Sequence, residues 1–306
     1  MPELHAFVLA DGLVPDLDVA SWVNAGLGWL LDTFRPVFVL LRDVLAWGVG
    51  ALEVAFAGPP FWVIVIAFTL IALAATGWKF ALFTAFAFLF IESMGHFEAT
   101  MLSLALVLVA ALLSVVLGVP LGILAAKNAA ASAAVRPLLD FMQTMPAFVY
   151  LLLAVLFFRI GVVPGVIASL LFSMPPAVRL TELGIRQVDP EVVEAAHAFG
   201  ARPREVLTGV QLPLAMPSIM AGVNQVIMLA LSMVVIAGMA GAGGLGGIIV
   251  EGITRLQFGR GFEGGLAVVI LAIFLDRVTA TLGSDQRSGR GLFPSLRRSE
   301  GLSTAP

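Results

Sequence analysis

The side chains that most often do chemistry are few and widely separated in this chain of 306 residues. The absence of cysteine excludes disulfides, thiolate nucleophiles and cysteine-based metal sites. The three histidines, His5, His96 and His197, lie in three different segments, which argues against a shared metal site or a Ser-His-Asp set. We therefore expect no metal site, no catalytic residues and no enzymatic activity in the chain itself.

The stretch GAGGLG at 241–246 matches the G-x-G-x-x-G pattern, whose amides contact a pyrophosphate when it follows a strand. Here it follows a long apolar run, so we interpret it as a close-packing turn. The chain has no G-x-x-x-x-G-K-[ST] sequence. It therefore has no P-loop, and any ATP that drives it must bind another polypeptide.

Polar residues inside apolar runs are the remaining candidates, because each is costly in a bilayer and is a functional-site hypothesis by default. Gln143 and Thr144 lie early in one run, and Asn224 and Gln225 lie in another. Two roles remain open for these residues, hydrogen bonding between helices and lining a translocation path. Three charged residues lie nearer the run ends, where snorkelling or a structural ion pair is expected: Asp140, Asp276 and Arg277.

The composition indicates which elements must position these residues. Hydrophobic residues make up 60% of the chain, charged residues only 12%, and the mean hydropathy is +1.03. Soluble domains have about 25% charged residues. The chain is therefore expected to be an integral membrane protein, and its net charge of -3 gives no support for a nucleic-acid partner.

Seven apolar runs are long enough, or nearly so, to cross a bilayer as helices. They are 60–75, 80–91, 97–126, 137–158, 162–180, 218–239 and 264–283. Unbroken runs of this length are typical of membrane helices, which satisfy their own backbone hydrogen bonds. The sequence predicts an all-α polytopic bundle of about seven transmembrane helices, of which the second is the shortest.

Positive charge predicts the orientation of the bundle. With the N-terminus outside, 12 of the 17 basic residues fall on the cytoplasmic side: Lys79, Lys127, Arg136, Arg179, Arg186, Arg202, Arg204, Arg277, Arg287, Arg290, Arg297 and Arg298. The odd number of spans then places the C-terminus inside.

The chain divides into four predicted segments. Residues 1–58 form an external segment whose run 37–57 is an amphipathic helix at the outer interface, although a span at 37–57 remains an alternative. Residues 59–95 form accessory helices. Residues 96–284 form the core, which includes a large cytoplasmic loop at 181–217, and residues 285–306 form a polar tail predicted to be disordered.

The loop at 181–217 contains explicit start and stop signals for two short helices. Asp189 is a favourable N-cap with Pro190 at the first helical position, and Gly200 can close that helix as its C′ residue. Pro203 opens a second helix, which Leu212-Pro213 is expected to end. A thin alanine surface on the first helix would suit close docking into a groove of a partner.

The spacing within the loop resembles the EAA loop of ABC-importer membrane subunits. That pattern is EAA, three residues, Gly, nine residues, Ile, one residue, Leu-Pro. The matching positions here are Glu194, Ala195, Ala196, Gly200, Val210, Leu212 and Pro213, with valine in place of isoleucine as the one departure. By resemblance, Glu194, Ala195, Ala196 and Gly200 belong to a coupling helix that seats in a cleft of a cytoplasmic ATPase, and Pro213 and its neighbours set the exit into the next span.

Three further stretches resemble the membrane subunits of quaternary-amine importers for glycine betaine, proline betaine and choline. They are RPLLDFMQTMPAFVYL at 136–151, GVQLPLAMPSIMAGVNQVIMLALSMVVIAGMAGAGGLG at 209–246 and VVILAIFLDR at 268–277. The resemblance implies a type I, MetI-like permease core in a bacterial cytoplasmic membrane. It also implies four kinds of partner: two copies of an ABC ATPase that binds ATP and Mg²⁺, an external substrate-binding protein, a second copy of the chain, and the lipid bilayer.

Two other functions are alternatives to an ATP-driven permease. An ion-gradient-driven secondary transporter of the same amines would need no partner ATPase, but it leaves the loop at 181–217 unexplained. An intramembrane enzyme lacks a credible set of catalytic residues. One tyrosine and five tryptophans, mostly near the first span, give the bundle little material for an aromatic cage, so tight binding of a quaternary ammonium is expected on the separate external protein.

Overall fold

The computed structural model describes residues 18–284, and within that range the chain folds into helices without strands. Thirteen α-helices are described: α1 (Val19–Thr33), α2 (Arg35–Ala57), α3 (Phe61–Ala75), α4 (Trp78–Ser93), α5 (Phe97–Lys127), α6 (Ala129–Thr144), α7 (Ala147–Phe158), α8 (Val162–Arg186), α9 (Pro190–Ala198), α10 (Pro203–Val206), α11 (Leu212–Ala237), α12 (Gly244–Thr254) and α13 (Phe258–Ser284). The all-α prediction is confirmed. The predicted disordered tail at 285–306 lies outside the described residues, and the predicted boundaries of the four segments stay a prediction.

Of the described residues, 18–43 and 44–284 fall into two compact units. In the first unit, Asp18 caps α1 by accepting a hydrogen bond of 3.1 Å from the Ser21 N–H. The rings of Trp29 and Phe34 meet edge to face, with centroids 6.2 Å apart. The second unit contains the elements that position the candidate site.

Four described helices are long and apolar enough to cross a membrane: α5, α8, α13 and the continuous helix Pro203–Ala240, which includes α10 and α11. Two further spans are possible as bent pairs, α2 with α3 at 96° and α6 with α7 at 99°. The described chain thus has four to six candidate spans, against about seven predicted. α3 and α4 taken singly, with 15 and 16 residues, reach only about 22–24 Å each, short of the ~30 Å hydrocarbon thickness. The predicted span at 137–158 counts only as the bent pair of α6 and α7.

The predicted span at 137–158 is broken rather than continuous. α6 ends at Thr144, Met145 adopts an extended conformation (ψ 132°), and α7 starts after Pro146. Proline has no N–H and disfavours a helical conformation in the residue before it, which explains the bend. The Tyr150 hydroxyl donates a hydrogen bond to the Met142 carbonyl across this bend.

Helix α8 packs against both α5 and α11 through small residues. A Cβ on Gly122 of α5 would lie 2.6 Å from the Thr181 Cβ of α8, and a Cβ on Gly184 of α8 would lie 2.8 Å from the Ser218 Cβ of α11. Without side chains at these glycines the helix backbones approach closely, as is typical of membrane bundles. The three helices therefore form a tightly packed core. Two of them border the predicted loop, since α8 precedes it and α11 follows it.

The glycine-rich turn after α11 packs closely, as the sequence predicted. A Cβ on Gly238 would lie 2.2 Å from the Gly246 carbonyl carbon, and Gly241 is left-handed at φ 74°. The Leu245 N–H donates a hydrogen bond of 2.8 Å to the Ser103 hydroxyl of α5. The short helix α12 that follows was not predicted, because its glycines mask the helical pattern.

Candidate coupling site

The first helix of the loop, α9, forms as its cap residues predict. The Asp189 carboxylate accepts a hydrogen bond of 2.9 Å from the Glu191 N–H, and Pro190 takes the first helical position. Proline suits this position because its missing N–H would have had no partner within the helix. Glu191 adds negative charge in the first turn, where the helix dipole favours it.

Gly200 ends α9 in a Schellman motif. The Gly200 N–H donates to the His197 carbonyl at 2.9 Å, and the Ala201 N–H donates to the Ala196 carbonyl at 3.1 Å. Gly200 has φ +85°, a left-handed conformation that glycine adopts without the cost imposed by a Cβ. The chain therefore leaves α9 through a tight turn at Gly200, as expected from the sequence.

The second short helix begins at Pro203, and the Glu205 carboxylate accepts a hydrogen bond of 2.7 Å from the Arg202 N–H. The expectation that Leu212-Pro213 ends this helix is wrong. A π-helical turn at Leu207–Gln211 joins α10 to α11, and Pro213 lies in the first turn of α11. The wider turn, in which the Leu212 N–H bonds the Leu207 carbonyl, accommodates a proline that would otherwise clash with the carbonyl four residues earlier.

The EAA half of the motif forms an exposed surface. Glu194 and Ala195 are exposed, Ala196 is half-buried, and the Phe199 side chain at the tip is 93% exposed. Within residues 18–284, the Glu194 carboxylate has no hydrogen-bond or ion-pair partner. The surface therefore presents one unpaired acceptor, small side chains and an unburied aromatic ring.

The other half of the motif packs against the bundle. Leu207 and Leu212 contact an apolar cluster formed by Ile185, Ala215 and Ile219, and Val210 is half-buried. α8 extends to Arg186 and α11 starts at Leu212. The predicted bounds of the cytoplasmic loop, 181–217, stay a prediction. The two ends of the loop, which we call the loop roots (residues 185–188 and 207–212), are thus packed into one site.

Sequence reasoning missed a buried carboxylate beside the first loop root. Glu182 is 5% exposed, and its Oε1 accepts hydrogen bonds from the Ser132 hydroxyl at 2.8 Å and Arg136 Nη2 at 3.0 Å. Arg186 Nη2 also lies 3.0 Å from this oxygen. The available signal was one acidic residue in the α8 run, four positions before an arginine.

A cavity of about 290 Å³ lies beside this carboxylate. Its lining is Arg136, Asp140, Arg179, Glu182, Leu183 and Arg186. Asp140 and Arg179 form an ion pair across it, which confirms the structural ion pair expected for Asp140. Three guanidinium groups thus face two carboxylates at the end of the bundle that bears the loop.

The four path candidates fall into two groups. Gln143, Thr144 and Gln225 are exposed on the single subunit. Asn224 instead bonds between helices: its Nδ2 donates to Asp276 Oδ1 at 2.9 Å, and its Oδ1 accepts from the Thr279 hydroxyl at 2.8 Å. Their role in a translocation path stays a prediction.

The described histidines lie in separate places. His96 is buried and its Nε2 lies 3.1 Å from Glu263 Oε2, while His197 is exposed on α9. His5 lies outside the described residues. Among residues 18–284, no three His, Asp or Glu side chains are grouped so that they could hold a metal ion.

The chain is similar to known membrane components of transport systems. A family model described as the inner membrane component of binding-protein-dependent transport systems matches residues 118–287. The glycine betaine/proline betaine transport system permease protein ProW of Escherichia coli is 48% identical over 268 residues, which cover 88% of this chain and 76% of ProW. The glycine betaine transport system permease protein OpuAB of Bacillus subtilis is 44% identical over 275 residues, which cover 90% of this chain and 98% of OpuAB.

The fold is also similar to that of a solved structure. An inward-facing form of the MetNI methionine ABC transporter aligns with a TM-score of 0.56 and 20% identity, covering 60% of this chain and 92% of that one. The MetI-like core expected from the sequence is confirmed. The chain therefore belongs to the family of inner membrane components of binding-protein-dependent transport systems.

Proposed function

We propose that this permease imports glycine betaine and related quaternary amines across the bacterial cytoplasmic membrane, driven by ATP hydrolysis on a partner. The observation on which the proposal depends most is the exposed helix, glycine turn and helix at 190–206, which presents the EAA spacing in a member of an importer family. The amine is inferred from the names of ProW and OpuAB, which are 48% and 44% identical to this chain.

In this proposal α9 is the coupling helix, and two chains assemble with two copies of a cytoplasmic ATPase that binds ATP and Mg²⁺. The small residues Ala195 and Ala196 allow a groove wall to approach the helix backbone, and the Phe199 ring has the exposure of an aromatic anchor. Glu194 supplies an unpaired acceptor for a donor on the partner. Val210, Leu212 and Pro213 fix the loop to α11, so that a movement of α9 also moves the bundle.

The loop is placed on the cytoplasmic side, with the C-terminus inside, and an odd number of spans would place the N-terminus outside. The supporting observation is the charge bias, because the loop and the end of the bundle beside it contain Arg136, Arg179, Arg186, Arg202 and Arg204. Basic residues near span ends are retained on the cytoplasmic side during insertion.

Tight recognition of the amine is placed on a separate external binding protein. A trimethylammonium group is held best by several aromatic faces. The five tryptophans are each exposed, and Tyr150 is buried with its hydroxyl bonded to Met142. Tight binding on a separate protein also suits a permease that releases its substrate quickly.

The proposed path includes the exposed side chains of Gln143, Thr144 and Gln225. Uncharged polar groups are costly against lipid, so these positions are expected to face water or the second copy of the chain. Asn224 contributes to this path indirectly, because its hydrogen bond to Asp276 holds α11, which bears Gln225, against α13.

The test is uptake of radiolabelled glycine betaine by vesicles that contain the permease, its ATPase and its binding protein. Uptake is expected to require ATP inside the vesicles, and its rate is expected to reach a plateau as the concentration of binding protein rises. Parallel assays with proline betaine and choline identify the preferred amine. Uptake by the permease alone under a Na⁺ or H⁺ gradient would contradict the proposal, because a secondary transporter needs neither partner.

A further inference from the structure

One carboxylate oxygen of Glu182 contacts both the beginning of α6 and the end of α8. Its Oε1 accepts from Ser132 and Arg136, which lie in α6, and lies 3.0 Å from Arg186 at the end of α8. The side chain is 6% exposed, so water contributes little to stabilising its charge. The first turns of α6 and the last turn of α8 are therefore held by the same carboxylate.

Arg186 extends this connection to α5. Its Nη2 also donates a hydrogen bond of 2.9 Å to the Ala125 carbonyl in the last turn of α5. Carbonyls in the last turn have no partner within their own helix, and a cation there also complements the helix dipole. Since Arg186 lies three residues before Asp189, the N-cap of α9, the first loop root is tied to the end of α5.

The second loop root is tied to the same turn of α5. Lys127 Nζ donates a hydrogen bond of 2.5 Å to Gln211 Oε1 in the π-helical turn. Ile123 and Ala126 of α5 pack against the apolar cluster that also receives Leu212. Both roots of the loop thus meet one helix end, which continues through Asn128 directly into α6.

A buried carboxylate is an expensive way to hold helices together. Apolar packing commonly joins helices at lower cost than a carboxylate removed from water, and ionisable residues within membrane bundles are functional-site hypotheses by default. The loop roots already have an apolar cluster in Ile185, Ala215 and Ile219. The charge at 182 therefore points to a role beyond holding the bundle together.

We propose that Glu182 is a positioning residue that makes the loop roots, the last turn of α5 and the first turns of α6 move as one body. A displacement of α9 by the ATPase then reaches α6, whose far end bears Gln143 and Thr144 beside the bend at Pro146. The inference rests on the proposed coupling role of α9, but it does not depend on which amine is transported.

The first test replaces the charge while keeping the shape. In vesicles that contain the whole importer, Glu182→Gln is expected to assemble with the ATPase as the native chain does, but to transport at least about 5-fold fewer substrate molecules per ATP hydrolysed. Glu251→Gln is the matched control, because Glu251 also pairs with two arginines, Arg255 at 2.7 Å and Arg260 at 3.9 Å, but lies on α12.

A native ratio of transport to hydrolysis in Glu182→Gln would overturn the proposal. An equal loss in Glu251→Gln would also overturn it, because the effect would then reflect any lost ion pair. If the native importer itself shows no substrate-stimulated hydrolysis, the proposed function fails instead, so the two failures are distinguishable.

The second test holds even if Glu182→Gln does not fold. Because the chain has no cysteine, Lys127→Cys with Gln211→Cys gives one pair that a short cleavable thiol cross-linker can join. If the loop root and α5 move as one body, the cross-linked importer is expected to transport within about 2-fold of the same variant before cross-linking. Loss of transport that is restored when the linker is cleaved would show that the two must separate, and would overturn the proposal.

Discussion

Replacing Gly200 isolates the contribution of one backbone conformation to coupling. Gly200 has φ +85°, and a Cβ built there meets no atom within 4 Å. The cost of Gly200→Ala is therefore the strain of a left-handed alanine, about 1–2 kcal/mol, and not a steric clash. Two hydrogen bonds of the Schellman motif, to His197 and Ala196, depend on that conformation.

This cost is expected to appear as weaker binding of the ATPase. We assume that the ATPase binds only the native turn. The apparent Kd then rises in proportion to the loss of population of that turn. A strain of about 1–2 kcal/mol corresponds to a rise of about 5–30-fold at most. Gly200→Asn is expected to lose less, since asparagine tolerates the left-handed region better than alanine. The assay is a titration of the solubilised permease with its ATPase.

Gly209→Ala is the control for this experiment. Gly209 lies in the π-helical turn of the same loop, its φ is not left-handed, and its Cβ would also meet no atom within 4 Å. The control is expected to bind as tightly as the native chain. Equal affinity in Gly200→Ala and Gly209→Ala, or weaker binding by Gly200→Asn than by Gly200→Ala, would refute the reasoning.

Three further substitutions test other parts of the account. Glu194→Lys reverses the exposed, unpaired carboxylate of α9, and is expected to leave the amount of folded permease unchanged while abolishing substrate-stimulated ATP hydrolysis. Gly122→Leu places atoms where a Cβ alone would lie 2.6 Å from Thr181, and overpacking of about 1–3 kcal/mol or more is expected to lower the melting temperature in detergent. Asn224→Ala removes the hydrogen bond to Asp276, and about 0.6–2 kcal/mol of stability is expected to be lost in denaturant unfolding.

Each substitution has an outcome that would contradict its prediction, and Gly122→Leu also has a control variant. Native coupling in Glu194→Lys would remove that carboxylate from the docking surface. Gly265→Ala, where a Cβ meets no atom within 4 Å, is expected to melt as the native chain does, so equal melting of Gly122→Leu would refute the close α5 to α8 packing. For Asn224, transport lost with full stability would favour a role in the path over a role in packing.

The sequence predicted the local elements of the loop because capping chemistry is local. Asp189, Pro190 and Gly200 occupy the conformations that their types favour, whatever the rest of the chain does. The predicted end of the second short helix was wrong because Leu212-Pro213 was interpreted as a helix break. A π-helical turn accommodates the proline, and apolar packing of Leu212 keeps the helix continuous, which is a tertiary effect.

The span pattern was only partly predictable, since a hydropathy profile gives the length of an apolar run but not whether its backbone continues in one direction. Pro146 lies within an apolar run, so composition alone suggested one span where the backbone bends by 99°. Glu182 was missed for a related reason. Its partners Ser132 and Arg136 are about 50 residues away along the chain, and nothing in the local sequence connects them.

The proposed docking of an ATPase at the tip of α9 can be tested directly in this cysteine-free chain. A single cysteine at Phe199, whose side chain is 93% exposed, is compared with one at Ile253 of α12, which is 62% exposed. A thiol-to-amine cross-linker is expected to join the ATPase to position 199 and not to position 253. A product at 253 without one at 199 would contradict the claim that α9 is where ATP hydrolysis drives this permease.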